Sequence, residues 1–166
     1  MKSSIYLVGF MGSGKTSIAT YLQSALKWSV QDTDQMIEEH YQMNIPTIFK
    51  EKGEETFREY ETNILHMTNN QNTIVATGGG IIEKEVNRKW LQSNGTVVFL
   101  QTSWEEIERR LRDDVSRPIW NNQSRDKQQL LEKRLPKYLE VADYVIDTDG
   151  KNVEAIAAEI LTKINV

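Results

Sequence analysis

Residues 9–16 constrain the fold of this chain most strongly, because they match the phosphate-binding pattern G-x-x-x-x-G-K-[ST] in full. The loop reads Gly9-Phe10-Met11-Gly12-Ser13-Gly14-Lys15-Thr16. An apolar, β-prone run over residues 5–8 precedes it, and an amphipathic run over residues 16–26 follows it. Strand, glycine-rich loop and helix in this order are the context that the pattern requires. The chain is therefore expected to bind a triphosphate-like group.

The residue types of this loop suit phosphate binding. Gly9, Gly12 and Gly14 can take backbone angles closed to residues with a Cβ, so consecutive N–H groups can turn inward around phosphate oxygens. The helix that follows adds unpaired N–H groups and the positive end of its dipole. Lys15 is expected to reach the β- and γ-phosphates, and the Thr16 hydroxyl to be a ligand of Mg²⁺. The alternative is a βα turn that binds nothing, but a chance match would rarely also carry Lys-Thr and the right flanks.

Length and composition narrow the possible functions. A chain of 166 residues suits a single domain with a substantial core. The absence of cysteine excludes disulfides, thiolate metal sites and cysteine nucleophiles. A net charge of −4 without a basic tract argues against nucleic acid as a partner. The apolar run over residues 5–11 is too short to span a membrane, so we expect a cytoplasmic protein.

Strands and helices are predicted to alternate along the chain. Strands are expected at residues 4–9, 28–31, 73–77, 96–100 and 144–147. Helices are expected at residues 15–26, 34–42, 46–52, 54–68, 83–92, 103–112, 125–141 and 153–164, with an interruption at Pro136 and a reciprocal capping box between Ser103 and Glu106. This alternation predicts an α/β fold, a three-layer αβα arrangement around a five-stranded parallel sheet. Ligands of such sheets bind beyond the carboxyl ends of the strands.

Two carboxylates, Asp32 and Asp34, follow the short second strand. One could hold Mg²⁺ through water, and the other could accept hydrogen bonds from a substrate hydroxyl and take its proton. The alternative is that Asp34 caps the helix that begins at Gln35. The neighbouring phosphate loop favours the functional interpretation.

Two further segments are predicted to contribute to a binding site. Arg58 and Glu61 lie three residues apart on one helix face, either as a surface ion pair or as an arginine oriented toward a substrate carboxylate, and the spacing does not decide between these. The triple glycine at residues 78–80 follows a buried strand, which favours a loop that a ligand approaches closely.

The polar stretch from residue 113 to residue 124 has few side chains that could anchor it in a core. We expect a lid at about residues 112–124 that closes over the transferred phosphate and excludes water. Arg117 is the natural residue to meet the developing charge. The alternative is an ordinary solvated loop whose arginines pair with Asp113 and Asp114.

Several motifs, in this order and at these distances, together resemble shikimate kinase. They are the phosphate loop, Asp32-x-Asp34, Gly53-Glu54-x-x-Phe57-Arg58-x-x-Glu61, the triple glycine, Arg117-Pro118 and Arg134-x-x-x-Tyr138. The resemblance covers essentially the whole chain. It implies a P-loop fold like that of nucleoside-monophosphate kinases. It also implies transfer of the γ-phosphoryl of ATP to the 3-hydroxyl of shikimate, giving shikimate 3-phosphate and ADP on the route to chorismate and aromatic amino acids.

The resemblance also implies roles for residues on the ATP side. The ATP phosphates would be held by Gly12, Ser13, Gly14, Lys15, Thr16 and Ser17. Thr16 would ligate Mg²⁺ and Asp32 would assist through water. Lys15 and Arg117 would stabilise the transferring phosphoryl group, and Arg110 would lie against the adenine.

On the shikimate side, the resemblance implies that Asp34 binds the hydroxyls and acts as base or orienter. Arg58 and Arg134 would clamp the shikimate carboxylate, and Gly79 and Gly80 would offer backbone N–H groups. The substrate-binding helical part would span about residues 34–68. The implied partners are the small molecules shikimate and ATP, with neither nucleic acid nor membrane, and we expect a monomer.

Other functions remain as alternatives from the residues alone. A gluconate- or nucleotide-type kinase could use the same scaffold, although two clamp arginines and Asp34 suit a hydroxy-acid better. A catalytically silent nucleotide-binding module would be expected to have lost Lys15, Asp34 or Arg117, and all are present. A GTP-driven switch is disfavoured, because residues 147–150 match its DxxG motif only by letters and no guanine-reading motif occurs. We interpret residues 147–150 as a turn.

Overall fold

The computed structural model describes residues 3–112 and 124–164. The predicted lid at about residues 112–124 lies outside these ranges except for its two end residues, and Arg117 lies outside them as well. The roles expected of the lid and of Arg117 therefore stay predictions.

Within the described residues, parallel strands form one central sheet. They are β1 (Ile5–Val8), β2 (Ser29–Asp32), β3 (Thr73–Ala76), β4 (Thr96–Gln101) and β5 (Tyr144–Asp147). Their order across the sheet is β2-β3-β1-β4-β5, and every neighbouring pair is parallel. Leu7 of β1 is aligned with Ala76 of β3 and Val98 of β4. The phosphate loop therefore emerges from the middle of the sheet.

Helices connect the strands throughout the described ranges. They are α1 (Lys15–Leu26), α2 (Thr33–Tyr41), α3 (Ile45–Lys52), α4 (Glu54–Leu65), α5 (Glu85–Asn94), α6 (Trp104–Arg112), α7 (Ser124–Val141) and α8 (Val153–Ile164). Among these residues, none of the helices combines the length and the apolar character that crossing a lipid bilayer requires. The predicted strands and helices are each found, with ends displaced by at most a few residues.

The core lies on both faces of the sheet, because successive side chains of a strand point to opposite sides. In β1, Ile5 and Leu7 belong to a buried cluster that includes residues of α1 and α8. Tyr6 and Val8 belong to a second buried cluster, which includes residues of α5 and α7. The predicted three-layer αβα arrangement with a five-stranded parallel sheet is confirmed.

Helix α7 continues through Pro136, so the interruption predicted there is wrong. A proline inside a helix removes one backbone donor and crowds the carbonyl four residues earlier. Contacts with the triple glycine at residues 78–80, which we call the glycine loop, and with Glu83 in the turn after it hold α7 on both sides of Pro136. Arg134 Nε donates to Glu83 Oε2 at 3.2 Å, and the Tyr138 hydroxyl donates to the Gly79 carbonyl at 2.6 Å. These tertiary contacts were not readable from the local sequence of α7.

The predicted capping box at the start of α6 is half right. Ser103 Oγ accepts a hydrogen bond from the Glu106 N–H at 3.3 Å, as predicted. The reciprocal bond is wrong, because the Ser103 N–H instead donates to Asp149 Oδ1 at 3.0 Å. The Glu106 carboxylate binds Arg109 and Arg110. Of these two arginines, Arg110 also donates to the Gly12 carbonyl of the phosphate loop.

Candidate active site

The phosphate loop joins β1 to α1 with the backbone geometry that its glycines permit. Gly12 and Gly14 have φ angles of 81° and 96°, in the left-handed region that residues with a Cβ rarely adopt. Gly14 is the N-cap of α1. Because glycine has no side chain that could cap the helix, the first helical N–H groups stay able to bind an anion. Lys15 Nζ donates to the carbonyl oxygens of Gly9 at 2.5 Å and Phe10 at 3.0 Å. The ammonium group thus lies against the loop that would hold phosphate.

A cavity of about 490 Å³ lies beside this loop at the carboxyl ends of β1, β2 and β3. It brings together predicted site residues that are far apart in sequence, namely Gly12, Gly14, Lys15, Thr16, Ser17, Asp32, Asp34, Arg58, Gly79, Gly80 and Arg134. Ser13 is buried within the loop. The convergence follows from the parallel sheet, since segments that follow parallel strands meet at one edge.

Asp32 and Asp34 differ in role although both line the cavity. Asp32 Oδ1 accepts a hydrogen bond from the Gln35 N–H at 3.1 Å and so caps α2. The alternative in which Asp34 is the cap is therefore wrong. A Cβ on Gly78 would lie 2.6 Å from Asp34 Oδ1, so this carboxylate packs directly on the glycine backbone. Burial raises the pKa of Asp34 above 3.8, the negative charge of Asp32 raises it further, and Lys15 lowers it.

Arg58 and Glu61 form a buried ion pair, so the surface-pair interpretation is wrong. Arg58 Nη1 donates to Glu61 Oε1 at 2.7 Å, and the Glu61 side chain is 1% exposed. Burial raises the pKa of Glu61, although the guanidinium of Arg58 opposes this effect. Arg58 Nη2 also contacts Glu54 Oε1 at 3.4 Å, near the surface. Glu61 therefore orients the guanidinium within the cavity lining.

The triple glycine at residues 78–80 leaves room for the charged side chains of the cavity. A Cβ on Gly79 would lie 3.4 Å from Arg134 Nη1. A Cβ on Gly80 would overlap the guanidinium of Arg58. A side chain at residue 80 would displace Arg58, which explains the glycine there, whereas the distance at residue 79 is an ordinary van der Waals contact.

Arg134 reaches the cavity from α7 and is 5% exposed. Its Nε donates to Glu83 Oε2 at 3.2 Å, and its guanidinium carbon lies 5.8 Å from the centre of the Phe10 ring. The hydroxyl of Tyr138, one turn later in α7, donates to the Gly79 carbonyl at 2.6 Å. Burial raises the pKa of this hydroxyl, so Tyr138 remains a neutral donor. Helix α7 and the glycine loop are thereby joined beside the cavity.

Comparisons with known proteins decide the family. The family model described as "Shikimate kinase" matches residues 11–165. The chain belongs to the shikimate kinase family. A shikimate kinase from Bacillus cereus (strain AH187) is 45% identical over 162 residues, which are 98% of this chain and 98% of the relative. The protein is therefore an ATP-dependent kinase that phosphorylates shikimate.

Comparison with solved structures shows that the chain also shares the fold of this family. The shikimate kinase from Acinetobacter baumannii, solved in complex with shikimate, has a TM-score of 0.91 and 38% identity, covering 99% of this chain and 94% of that one. Thymidylate kinase from Candida albicans has a TM-score of 0.61 at 16% identity, covering 99% of this chain and 91% of that one, which is a likeness of fold alone. The predicted fold, like that of nucleoside-monophosphate kinases, is confirmed.

In this member of the shikimate kinase family, Arg110 lies against the phosphate loop. Its Nη1 donates to the Gly12 carbonyl at 2.9 Å, and its Nε donates to Glu106 Oε1 at 3.0 Å. The hydrogen bond with Arg109, together with that from Arg110, lowers the pKa of Glu106 and keeps it an ionised anchor. Contact of Arg110 with adenine stays a prediction.

The turn predicted at residues 147–150 is present. The Asp149 N–H donates to Asp147 Oδ1 at 3.0 Å, and Gly150 has a φ of 72°. The Asp147 carboxylate is therefore engaged within the turn itself. This agrees with our interpretation of the DxxG letters as a turn.

Glu83, beside the cavity, is a charged residue that sequence reasoning missed. Glu83 binds Arg134 across 51 positions of the chain, and no local spacing connects a turn residue to a residue of a distant helix. The position of Glu83 three residues after the triple glycine was the one available signal. The three-residue spacing of Arg58 and Glu61 indicated that they could pair. That the pair is buried became clear only from the packing of α4.

Proposed function

We propose that this cavity is where the γ-phosphoryl of ATP is transferred to the 3-hydroxyl of shikimate. The observation that carries the proposal is that one cavity is lined both by Lys15 of the phosphate loop and by Asp34, Arg58 and Arg134. The phosphate loop can hold a polyphosphate, and Asp34 can bind a substrate hydroxyl. The guanidinium groups of Arg58 and Arg134 can bind a substrate carboxylate. A hydroxylated acid and ATP are the pair of substrates that such a set suits.

On the ATP side, residues 12–17 bind the phosphates through backbone N–H groups and side chains. Lys15 exchanges its carbonyl partners for oxygens of the β- and γ-phosphates when ATP binds. Arg110, which already touches the phosphate loop through Gly12, packs against the adenine. Arg117 of the lid meets the charge that develops on the transferring phosphoryl group.

Mg²⁺ is the cofactor that fits the donors of the cavity. The Thr16 hydroxyl and the Asp32 carboxylate both line it, and both are the hard oxygen ligands that Mg²⁺ prefers. Among residues 3–112 and 124–164 there is no group of three or more His, Cys, Asp or Glu that could hold a metal ion. The donors therefore suit an ion that keeps waters and phosphate oxygens as ligands. Thr16 would bind it directly and Asp32 through water, and the ion would neutralise phosphate charge.

On the shikimate side, Arg58 and Arg134 clamp the carboxylate. A guanidinium group grips a carboxylate through two parallel hydrogen bonds, and these are stronger where water is excluded. Both arginines are largely buried, and Arg58 is held by Glu61 at 2.7 Å. The backbone N–H groups of Gly79 and Gly80 add donors beside the clamp. The carboxylate is thereby fixed relative to the hydroxyl that reacts.

Asp34 binds the 3-hydroxyl and accepts its proton during the transfer. The hydroxyl oxygen bonds to the γ-phosphorus while the bond from that phosphorus to the departing ADP oxygen breaks. The raised pKa of Asp34, caused by burial and by Asp32, makes the carboxylate a better proton acceptor than one in water. Lys15 stabilises the charge on the phosphoryl oxygens. Most of the catalytic effect comes from positioning the two substrates and neutralising charge.

The whole chain, residues 1–166, acts as one domain with a substrate-binding helical part at about residues 34–68 and a lid at about residues 112–124. We place it in the cytoplasm as a monomer that binds neither nucleic acid nor membrane. The absence of cysteine suits a reducing compartment, and the net charge of −4 disfavours a polyanion. The large exposed apolar side chains of the described surface lie on separate elements, as single residues do on monomers: Tyr21, Phe49, Met67, Val86, Leu139 and Val145.

The clamp is tested by Arg58→Ala. Loss of a charged hydrogen-bonding group should raise the KM for shikimate by about tenfold to a hundredfold, while the KM for ATP changes little. Lys89→Ala is the control, because the Lys89 side chain is 74% exposed and pairs with Glu85 at the surface. An unchanged KM for shikimate in Arg58→Ala would show that the clamp is misassigned. Release of ADP with shikimate, gluconate and nucleoside monophosphates in parallel tests the choice of substrate.

A further inference from the structure

Glu83 lies beside the cavity and bridges two cationic side chains of α7. Its Oε2 accepts a hydrogen bond from Arg134 Nε at 3.2 Å, and its Oε1 accepts one from Lys137 Nζ at 2.9 Å. Burial raises the pKa of Glu83, but the bonds from Lys137 and Arg134 outweigh this and lower the pKa overall. The carboxylate is therefore ionised, with one cation on each oxygen.

The backbone of Glu83 is held as firmly as its side chain. Its N–H donates to the Gly80 carbonyl at 3.0 Å. Its carbonyl oxygen accepts a hydrogen bond from Arg88 Nη1 at 2.9 Å, and the same nitrogen donates to the Ile82 carbonyl at 2.8 Å. Glu83 is consequently a rigid link between the glycine loop and α7.

The contact with Glu83 determines which edge of the Arg134 guanidinium is left for a ligand. A guanidinium presents five N–H donors, one on Nε and four on the two Nη atoms. The Nε donor is used by Glu83, while Nη1 lies 3.4 Å from the position that a Cβ on Gly79 would occupy, in the lining of the cavity. Arg134 also interacts with the Tyr138 hydroxyl. The two Nη atoms nevertheless carry four donors, so this edge is the part of the side chain that can form a two-pronged contact with a carboxylate in the cavity.

We infer that Glu83 is a positioning residue for shikimate binding, because it holds the Nε of Arg134 and thereby presents the Nη edge to the substrate carboxylate. This inference rests on the proposed role of Arg134 in the clamp. Glu83 itself does not touch the substrate. It acts on shikimate only through the orientation of Arg134.

The charge of Glu83 alone would have the opposite effect on the substrate. A negative group near the clamp repels a carboxylate, so removing its charge without any change in geometry would strengthen shikimate binding. Losing the orientation of Arg134 weakens binding instead. The sign of the change in KM therefore separates the two effects.

Glu83→Met is the variant that tests the inference, since it keeps the approximate size of the side chain and removes the carboxylate oxygen that accepts the bond from Arg134. We expect the KM for shikimate to rise about tenfold, in line with the loss of a residue that orients a ligand-binding group. The KM for ATP should stay within about twofold of its original value, and kcat should change less than the KM for shikimate. This is the pattern expected when only the binding of shikimate is weakened. Unchanged KM for ATP also shows that the variant is folded.

Two control variants isolate the contact. Glu85→Met removes a carboxylate two positions away that pairs with Lys89 at the surface, and should leave the KM for shikimate unchanged. Lys137→Met removes a charge of the opposite sign but keeps the bond from Arg134 to Glu83, and should change this KM far less than Glu83→Met does. A KM for shikimate in Glu83→Met that is unchanged or lower than that of the unmodified protein would overturn the inference.

A double-mutant cycle with Arg134→Ala separates this inference from the proposed function. In the Arg134→Ala background, Glu83→Met should not raise the KM for shikimate further, because there is no guanidinium left to orient. Additive effects would overturn the inference. If Arg134→Ala raises the KM but Glu83→Met does not, only the positioning role fails. If Arg134→Ala leaves the KM unchanged, the clamp and the inference that rests on it both fail.

Discussion

At Asp34, the pKa determines the pH range in which the proposed base can act. Burial and the negative charge of Asp32 raise it, and Lys15 opposes them. The ionised form is required, so kcat/KM for shikimate should decrease as the pH falls through this raised pKa and be constant above it. In Asp32→Asn the neighbouring charge is removed while a good N-cap is kept, so the pKa of Asp34 should fall. The acid side of the pH profile should then move to lower pH.

Profiles of kcat/KM against pH for the unmodified protein and Asp32→Asn are the measurement. Asp34→Asn is the control for the identity of the base, and its kcat should be lower by about a hundredfold or more. If kcat/KM falls at the same pH in the unmodified protein and in Asp32→Asn, a group other than Asp34 titrates.

Gly80 gives a second prediction at the scale of a residue. A Cβ at this position would overlap the Arg58 guanidinium, so Gly80→Ala should displace Arg58 and raise the KM for shikimate by about tenfold or more. The KM for ATP should change little. Gly150→Ala is the matched control, because Gly150 has a φ of 72° and no atom of the described residues lies within 4 Å of an added Cβ. It should lower the melting temperature slightly and leave both KM values unaltered, and an equal rise in the two variants would contradict the assignment.

Helix α3 is an element whose start depends on one side chain. Asn44 Oδ1 accepts a hydrogen bond from the Thr47 N–H at 2.9 Å, and α3 contributes Ile45 and Phe49 to the cavity lining. Asn44→Ala should lower the free energy of unfolding by about 1 kcal/mol, because the N–H loses its partner. Asn44→Asp should retain most of the stability. Denaturant unfolding of the three proteins measures the effect, and equal midpoints for Asn44→Ala and the unmodified protein would refute it.

Elements differed in how well local patterns predicted them. The ends of α1 and α8 were predictable, because each has an amphipathic run bounded by a loop or a turn. The predicted break at Pro136 was wrong, since the contacts of Arg134 and Tyr138 hold α7 together across the proline. A local rule fails where distant contacts contribute more free energy than the local defect costs.

The molecule as a whole should unfold in one transition. The substrate-binding helices have an apolar cluster of their own, with Ile37, Ile48 and Phe57. The end of α4 nevertheless inserts Leu65 into the core against the sheet, so this part is joined to the rest. Tryptophan fluorescence and far-UV circular dichroism should therefore give the same unfolding midpoint, and shikimate should raise both midpoints equally. Two separated midpoints would mean that the helical part is an independent unit.

Most of the candidate site was predictable at the scale of the molecule as well. Loops after parallel strands must meet at one edge, so the phosphate loop, Asp34 and the triple glycine could be placed together before any contact was known. The partner of Arg134 could not, because Glu83 is separated from it by the whole of α5, β4 and α6. That Asp32 caps α2 was also not predicted, because the helix begins at Thr33, one residue earlier than expected.

The amino-acid sequence by itself determined the phosphate loop, the alternation of strands and helices, and the residue types available to bind ATP and a hydroxy-acid. These features depend on residues that are close together in the sequence, so they can be predicted without knowledge of the tertiary contacts. Only the tertiary structure decided that Glu61 is buried against Arg58, that Gly78 and Gly80 leave space for Asp34 and Arg58, and that Glu83 holds Arg134. Such contacts join segments that are distant along the chain, so they exist only once the helices have packed on the sheet.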